Sequence, residues 1–197
     1  MQAKAINKLI FASSSSVYGN NKKMPFSEDD NVDNPISPYA FTKKACELMN
    51  YTFHHLYHID IINLRFFTVY GPGQRPDLAI HKFVERISKN QPLVLFGNGD
   101  TARDYTYVDD TVSGIYSALE YCLNNTGVYT TVNLGNNKPV KLNELVDIIY
   151  AAMGKEKNVV YEAMQAGDVD ITFADITKAG ELLNYKPATD LAEGIRK

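Results

Sequence analysis

The chain has 197 residues, a formal net charge of -3, 45% hydrophobic and 22% charged side chains. That balance is ordinary for a globular chain. It gives no basic footprint for nucleic acid and holds no apolar run near the ~20 residues that a membrane helix needs. The start, Met1-Gln2-Ala3-Lys4-Ala5, lacks an apolar segment of secretory length. A cytoplasmic chain is therefore expected, with Cys46 and Cys122 as free thiols of a reducing compartment.

In chain order, Lys8–Ser13 (KLIFAS) reads as a buried strand that runs into a polar loop. Residues 20–38, rich in Asn, Asp, Pro and Ser, read as a long surface connection. Ser37-Pro38 is an N-cap followed by a first-turn proline, so a helix is expected from there to about His58. Its apolar side is read as Leu48, Met49, Phe53 and Leu56. Asp60–Phe67 is a second strand, 77–89 a helix, and 92–96 a strand stopped by Gly97-Asn98-Gly99. A helix opened by acidic residues covers 109–122. A strand at 132–134, a helix over 142–153 ended by Gly154, a short strand at 159–161 and a helix at 176–183 follow. Leu191–Lys197 reads as the first turns of another helix. Strands alternating with helices imply an α/β chain with a parallel sheet. No glycine-rich turn of the GxGxxG type joins a strand to a helix anywhere in the sequence.

The chemistry centres on Tyr39-Ala40-Phe41-Thr42-Lys43. Four residues apart on a helix, the phenol and the ammonium share one face. A nearby ammonium favours the phenolate, which makes Tyr39 a candidate general base and Lys43 its tuner. Tyr18 and Lys22 have the same spacing, but in a Gly/Asn turn where no helix would hold them together. His54 and His58 have metal-compatible spacing without an HExxH, and read as a polar stripe that is solvated or faces a second subunit.

Several segments stand together in order. They are Ser13-Ser14-Ser15-Ser16-Val17-Tyr18-Gly19 after the first strand, the Tyr39/Lys43 pair, and Leu64-Arg65-Phe66-Phe67-Thr68-Val69-Tyr70-Gly71-Pro72. Gly97–Asp100, Arg103-Asp104-Tyr105-Thr106-Tyr107-Val108-Asp109-Asp110 and Gln165-Ala166-Gly167-Asp168 follow. From Lys8 to Lys197 the chain resembles the extended short-chain dehydrogenase/reductase family of NAD-dependent nucleotide-sugar epimerases and dehydratases. The resemblance implies the C-terminal part of a Rossmann fold plus a smaller α/β substrate domain. Residues 1–68 would belong to the NAD-binding domain and 69–197 mostly to the substrate domain, with residues near 130–134 returning to the Rossmann sheet.

The same resemblance implies roles. Ser14 matches the catalytic hydroxyl, Tyr39 the base and Lys43 the ribose-binding lysine, with Phe66 and Phe67 beside the nicotinamide. Val94 and Phe96 would touch the uracil, Arg103 the diphosphate, and Asp168 the nucleotide. Phe67–Pro72, the stretch from Gln74 to Ala79 and Met164–Val169 are similar to the UDP-glucuronate 4-epimerase subgroup. There Ser15, Ser16 and Thr68 would face the sugar carboxylate, with Arg75 and Lys82 as further anion contacts. Dehydratases of the family carry Asp-Glu where this chain has Ser15-Ser16, which argues against dehydration. The implied function is C4 epimerisation of a UDP-sugar through a 4-keto intermediate. UDP-glucose epimerisation and a non-catalytic sugar-nucleotide binder, or one half of a split enzyme, stay open. Without a phosphate-binding turn the chain by itself is expected to bind NAD weakly and to be inactive. Members of the family commonly form homodimers through two helices, the one that starts at Pro38 and one that precedes the strand at Lys8, so the resemblance implies a dimer interface of which this chain carries one part.

Overall fold

The computed structural model describes residues 6–163 and 171–197. A three-stranded parallel sheet is formed by β1 (Lys8–Ser14), β2 (Asp60–Phe66) and β6 (Tyr129–Leu134), in the order β1-β2-β6. Lys8 pairs with Asp60 and Ile61 with Tyr129, so the strands run in step. A second sheet joins β3 (Thr68–Tyr70), β5 (Ala102–Tyr107) and β7 (Pro139–Lys141), with β9 (Ile171–Thr172) also on β5. A parallel pair, β4 (Leu93–Phe96) and β8 (Val159–Glu162), completes the strands. The helices are α1 (Pro38–Tyr57), α2 (Ala79–Ser88), α3 (Val108–Asn124), α4 (Leu142–Met153), α5 (Thr177–Leu183) and α6 (Leu191–Arg196). Among the described residues, no helix is long and apolar enough to cross a membrane.

The alternation of β2 decides how the first sheet is covered. Ile62, Leu64 and Phe66 face one side, where they pack with Val132, Leu134, Ala118 and Leu183. Asn63 and Arg65, both buried, face the other side, against α1. A helix laid on polar strand residues must bring polar partners. The residues of α1 that are buried are accordingly Ala40, Glu47 and Asn50.

This overturns the expected apolar side of α1. Leu48, Met49 and Leu56 are more than half exposed and Phe53 is 39% exposed. The ends of α1 follow local chemistry. The Ser37 side chain accepts the Ala40 N–H at 3.1 Å, Pro38 opens the first turn, and His58 closes the helix in the left-handed region at φ 52°.

The connection over 20–38 is more than surface. Phe26 and Val32 are buried, and Phe26 packs with Val17, Tyr18 and Phe67 in a core of its own. Its backbone bonds both ways to the β9 end: the Phe26 N–H donates to the Phe173 carbonyl and the Asp175 N–H donates to Phe26. The third core gathers Tyr70, Leu93, Leu95, Leu145 and Ile149 beneath β4, β5, α2 and α4. Helix α2 begins at Ala79, two residues later than the expected start at 77, with Asp77 paired to Arg75 ahead of it.

Candidate active site

Strand β1 ends in Ser13-Ser14, and the chain turns through a single 3-10 helix, Ser15–Tyr18. Ser14 caps that turn: its Oγ accepts the Ser16 N–H at 3.2 Å and donates to Ser16 Oγ at 3.1 Å. Gly19 ends it at φ 57°, with the returning connection so close that a Cβ would lie 2.8 Å from the Asn34 carbonyl oxygen.

One turn into α1, the Lys43 ammonium lies 5.7 Å from the Tyr39 ring centroid and 5.5 Å from that of Phe11. It donates to the Ala12 carbonyl of β1 at 2.8 Å. The helix start is thereby tied to the strand whose end carries Ser14. Tyr39 itself is 54% exposed.

Beside this corner opens a cavity of about 600 Å³ whose wall includes Ser15, Ser16, Thr68, Arg103, Phe26 and Thr172. Four side chains read from sequence as sugar and diphosphate contacts are thus gathered from three separate segments. Tyr39 and Lys43 stand outside the cavity wall, although Ser37, at the start of α1, is part of it. Lys82, Val94 and Phe96 meet at a second cavity of about 410 Å³, with Asp77, Phe83 and Arg86. Arg75 lines neither cavity. Its guanidinium is on the surface in a two-pronged pair with Asp77, at 3.0 and 2.6 Å. Phe66 and Phe67 point to different places. Phe66 packs into the core of the first sheet, while Phe67 sits 6.4 Å, ring to ring, from both Tyr18 and Phe26. Asp168 lies outside the described residues. Among those residues no cluster of metal-ligating groups occurs, and His54 instead contacts the Ile59 carbonyl through Nδ1 at 2.8 Å.

Sequence reasoning missed a buried polar network under the Ser14–Tyr18 turn. Arg65 binds Glu47 through two parallel contacts, Nε to Oε1 at 3.0 Å and a terminal nitrogen to Oε2 at 2.9 Å. Ser13 Oγ donates to the same Glu47 at 2.6 Å. The other terminal nitrogen of Arg65 donates to the Tyr18 hydroxyl at 3.0 Å, which donates to Asn133 Oδ1 at 2.7 Å. Burial pushes the Tyr18 phenol up to about 12 despite the pull of Arg65, so it works as a fixed donor. That gives Tyr18 a structural role in this network, and Lys22 is no part of it among the described residues. The signal was available: Asn63 and Arg65 alternate within a strand that is otherwise apolar, and such residues require polar partners on the covering helix.

A second buried acid, Asp104, organises the far side of the cavity. Its carboxylate accepts the backbone N–H groups of Asn136 (2.7 Å), Ala174 (3.0 Å) and Asn137 (3.1 Å). It joins β5, the turn after β6 and the segment after β9, and so fixes where its neighbour Arg103 emerges.

A family model described as GDP-mannose 4,6 dehydratase matches residues 1–197, the whole length. The chain belongs to this dehydratase-like family of nucleotide-sugar enzymes. Within it, similarity runs to epimerases. The UDP-glucuronate 4-epimerase of Thermodesulfobacterium geofontis is 42% identical over 193 residues, covering 98% of this chain and 58% of that one. The crystal structure of the UDP-glucuronic acid 4-epimerase of Bacillus cereus, with UDP-glucuronic acid and NAD, superposes with a TM-score of 0.88 at 36% identity. It covers 96% of this chain and 59% of its own. The UDP-glucose 4-epimerase of Thermotoga maritima, with UDP-glucose, gives 0.89 at 32%, covering 98% and 62%. The chain therefore spans about three fifths of the length of these relatives. Its fold is the Rossmann-type α/β fold of NAD-dependent epimerases. The name of the family model does not fix the reaction, since these relatives within the family are epimerases.

Proposed function

We propose that this chain supplies the catalytic and sugar-nucleotide parts of an NAD-dependent UDP-sugar 4-epimerase, with UDP-glucuronate and UDP-galacturonate as the pair it interconverts. The observation that carries the reading is the convergence of Ser15, Ser16, Thr68 and Arg103 on one cavity beside the corner where Lys43 ties Tyr39 to the end of β1.

Tyr39 takes the proton of the sugar 4-hydroxyl, and Ser14 hydrogen-bonds the same oxygen. Lys43, 5.7 Å from the Tyr39 ring centroid and bonded to the Ala12 carbonyl, holds the helix start against the strand that leads to Ser14. Arg103 suits a diphosphate because its guanidinium is rigid and always charged. Ser15, Ser16 and Thr68 are neutral donors for a C6 carboxylate, which needs several when it leaves water. They put no strong acid beside a 4-keto uronate, a β-keto acid that can lose CO₂. Val94 and Phe96 offer a nucleobase edge at the second cavity. The chain's own residues fit the nicotinamide–ribose end of NAD: Lys43 has three N–H donors, and Ala12 takes one. The chemistry that NAD would supply there, when bound, is reversible hydride acceptance from C4.

The test joins this chain to the N-terminal half of a related epimerase and measures turnover of UDP-glucuronate and UDP-glucose with NAD. Preferential turnover of UDP-glucuronate is expected, with Thr68→Val lowering it. Far better turnover of UDP-glucose, with Thr68→Val costing little, would overturn the uronate assignment. The exposed apolar residues of α1 support the further reading that the enzyme is a homodimer paired through that helix.

A further inference from the structure

The Tyr39/Lys43 pair belongs to a longer row. Tyr39, Lys43, Glu47 and Asn50 follow helical spacing along the sheet-facing side of α1. Each of the last three is bonded to the first sheet: Lys43 to Ala12, Glu47 to Ser13 and Arg65, and Asn50 to Asn63 at 2.8 Å. The row begins at the exposed site and ends in the sheet's interior. Within this row Glu47 bonds both the residue preceding Ser14 and the arginine that holds the far end of the Ser14–Tyr18 turn.

We propose that Glu47 is a positioning residue: through Ser13 and Arg65 it sets the register between the helix that carries Tyr39 and the turn that carries Ser14, Ser15 and Ser16. The inference rests on the sugar-nucleotide reading of the cavity. Glu47 is 5% exposed and does not line the cavity, so it acts through the groups it holds. Its two oxygens have distinct tasks. Oε1 accepts from both Ser13 and Arg65 Nε, and Oε2 accepts from the terminal nitrogen. A shorter carboxylate cannot serve both at once. Arg65 carries the constraint onward to Tyr18, whose hydroxyl bonds Asn133, and Asn133 bonds the Phe26 carbonyl at 2.9 Å. Phe26 is itself part of the cavity wall. Glu47 thus reaches two sides of the sugar site, and no contact of the network goes to the Val94–Phe96 cavity.

This asymmetry supplies the test. Calorimetry on the full chain measures affinity for UDP-glucuronate and for UDP, and their ratio isolates what the sugar adds. Two variants are compared with the unmodified chain. Glu47→Asp keeps the charge and withdraws the carboxylate by one methylene. The combined Ser13→Ala, Glu47→Leu, Arg65→Met replaces the network by apolar groups and leaves no buried charge unpaired. Circular dichroism and thermal unfolding establish that each is folded. We expect affinity for UDP-glucuronate to fall about tenfold, the effect of losing well-placed hydrogen bonds to the sugar, while affinity for UDP stays constant. A folded variant that binds UDP-glucuronate as the unmodified chain does would overturn the inference and leave the network a role in stability alone. A parallel loss for both ligands would overturn it too. If the unmodified chain binds neither ligand, the sugar-nucleotide reading itself fails, and the inference falls with it.

Discussion

At the scale of single residues, the buried charges determine which side chains can be exchanged. Arg65 and Glu47 are 4% and 5% exposed, so each depends on the other for its solvation. Removing one partner of such a pair leaves an uncompensated charge and costs about 3–5 kcal/mol, whereas replacing both by apolar groups is often close to neutral. Glu47→Ala is therefore expected to lower the urea midpoint far more than Glu47→Leu combined with Arg65→Met. Equal losses would show that the pair contributes nothing specific. Asp60 gives a prediction in pH. Burial alone would raise its carboxyl, but Lys8, 2.7 Å away, and the N–H groups of Val128 and Gly127 outweigh that and hold it below its ordinary 3.8. A carboxyl lowered by folding binds fewer protons in the native than in the unfolded chain. Its stabilisation is complete above the unfolded value and is lost as pH falls through the folded one. Between about pH 5 and pH 2 the native chain should lose stability more steeply than Asp60→Asn, as read from urea midpoints at each pH. Parallel curves would mean that the Lys8–Asp60 bridge does not couple to folding.

At the scale of elements, the sequence was legible where a signal is local. Ser37-Pro38 marked the start of α1, Gly154 the end of α4, and the apolar runs β1, β2 and β4, each within a residue or two. What escaped was non-local. β3, β7 and β9 have two or three residues each and exist because β5 offers them an edge, which no periodicity of their own announces. β5 itself reads as polar, ARDYTY, yet Asp104 and Thr106 are fully buried, because Asp104 collects backbone donors from distant loops. The buried face of α1 escaped because a hydrophobic stripe is a guide to burial only when the surface beneath it is apolar. The correction can be measured. Truncating a core leucine costs about 2–5 kcal/mol, whereas an exposed substitution stays within about 0.5 kcal/mol. Leu48→Glu with Leu56→Glu should therefore leave the unfolding free energy of dilute chain almost unchanged and reduce self-association in sedimentation velocity. A loss of several kcal/mol would return these residues to the core.

At the scale of the whole molecule, the site is assembled from both ends of the chain. Ser15 and Ser16 come from the turn after β1, Thr68 from β3, Arg103 from β5, and Phe26 from a connection anchored by Asn133 and by the segment after β9. The sequence motifs named most of these residues, and only the fold shows that Val94, Phe96 and Lys82 occupy a separate cavity. The same view explains what the chain should do with NAD. A dinucleotide is held chiefly by its pyrophosphate, which sits against free backbone N–H groups at a helix start reached through a glycine-rich turn. The starts of the first four helices are formed otherwise. α1 begins at Ser37-Pro38, where Ser37 takes the Ala40 N–H, and α2 follows Leu78. α3 follows β5 directly at Tyr107, and α4 follows β7 directly at Lys141. None of these four starts follows a GxGxxG turn, and in the proposed site Tyr39 and Lys43 would hold only the nicotinamide–ribose end of the ligand. Titration of the purified 197-residue chain with NAD should accordingly show no saturable binding in the micromolar range, while UDP-glucuronate binds. Adding the N-terminal half of a related epimerase should restore NAD binding without altering affinity for UDP. Micromolar NAD binding by the chain alone would require a phosphate site formed from other residues, and would remove the ground for expecting it to be inactive by itself.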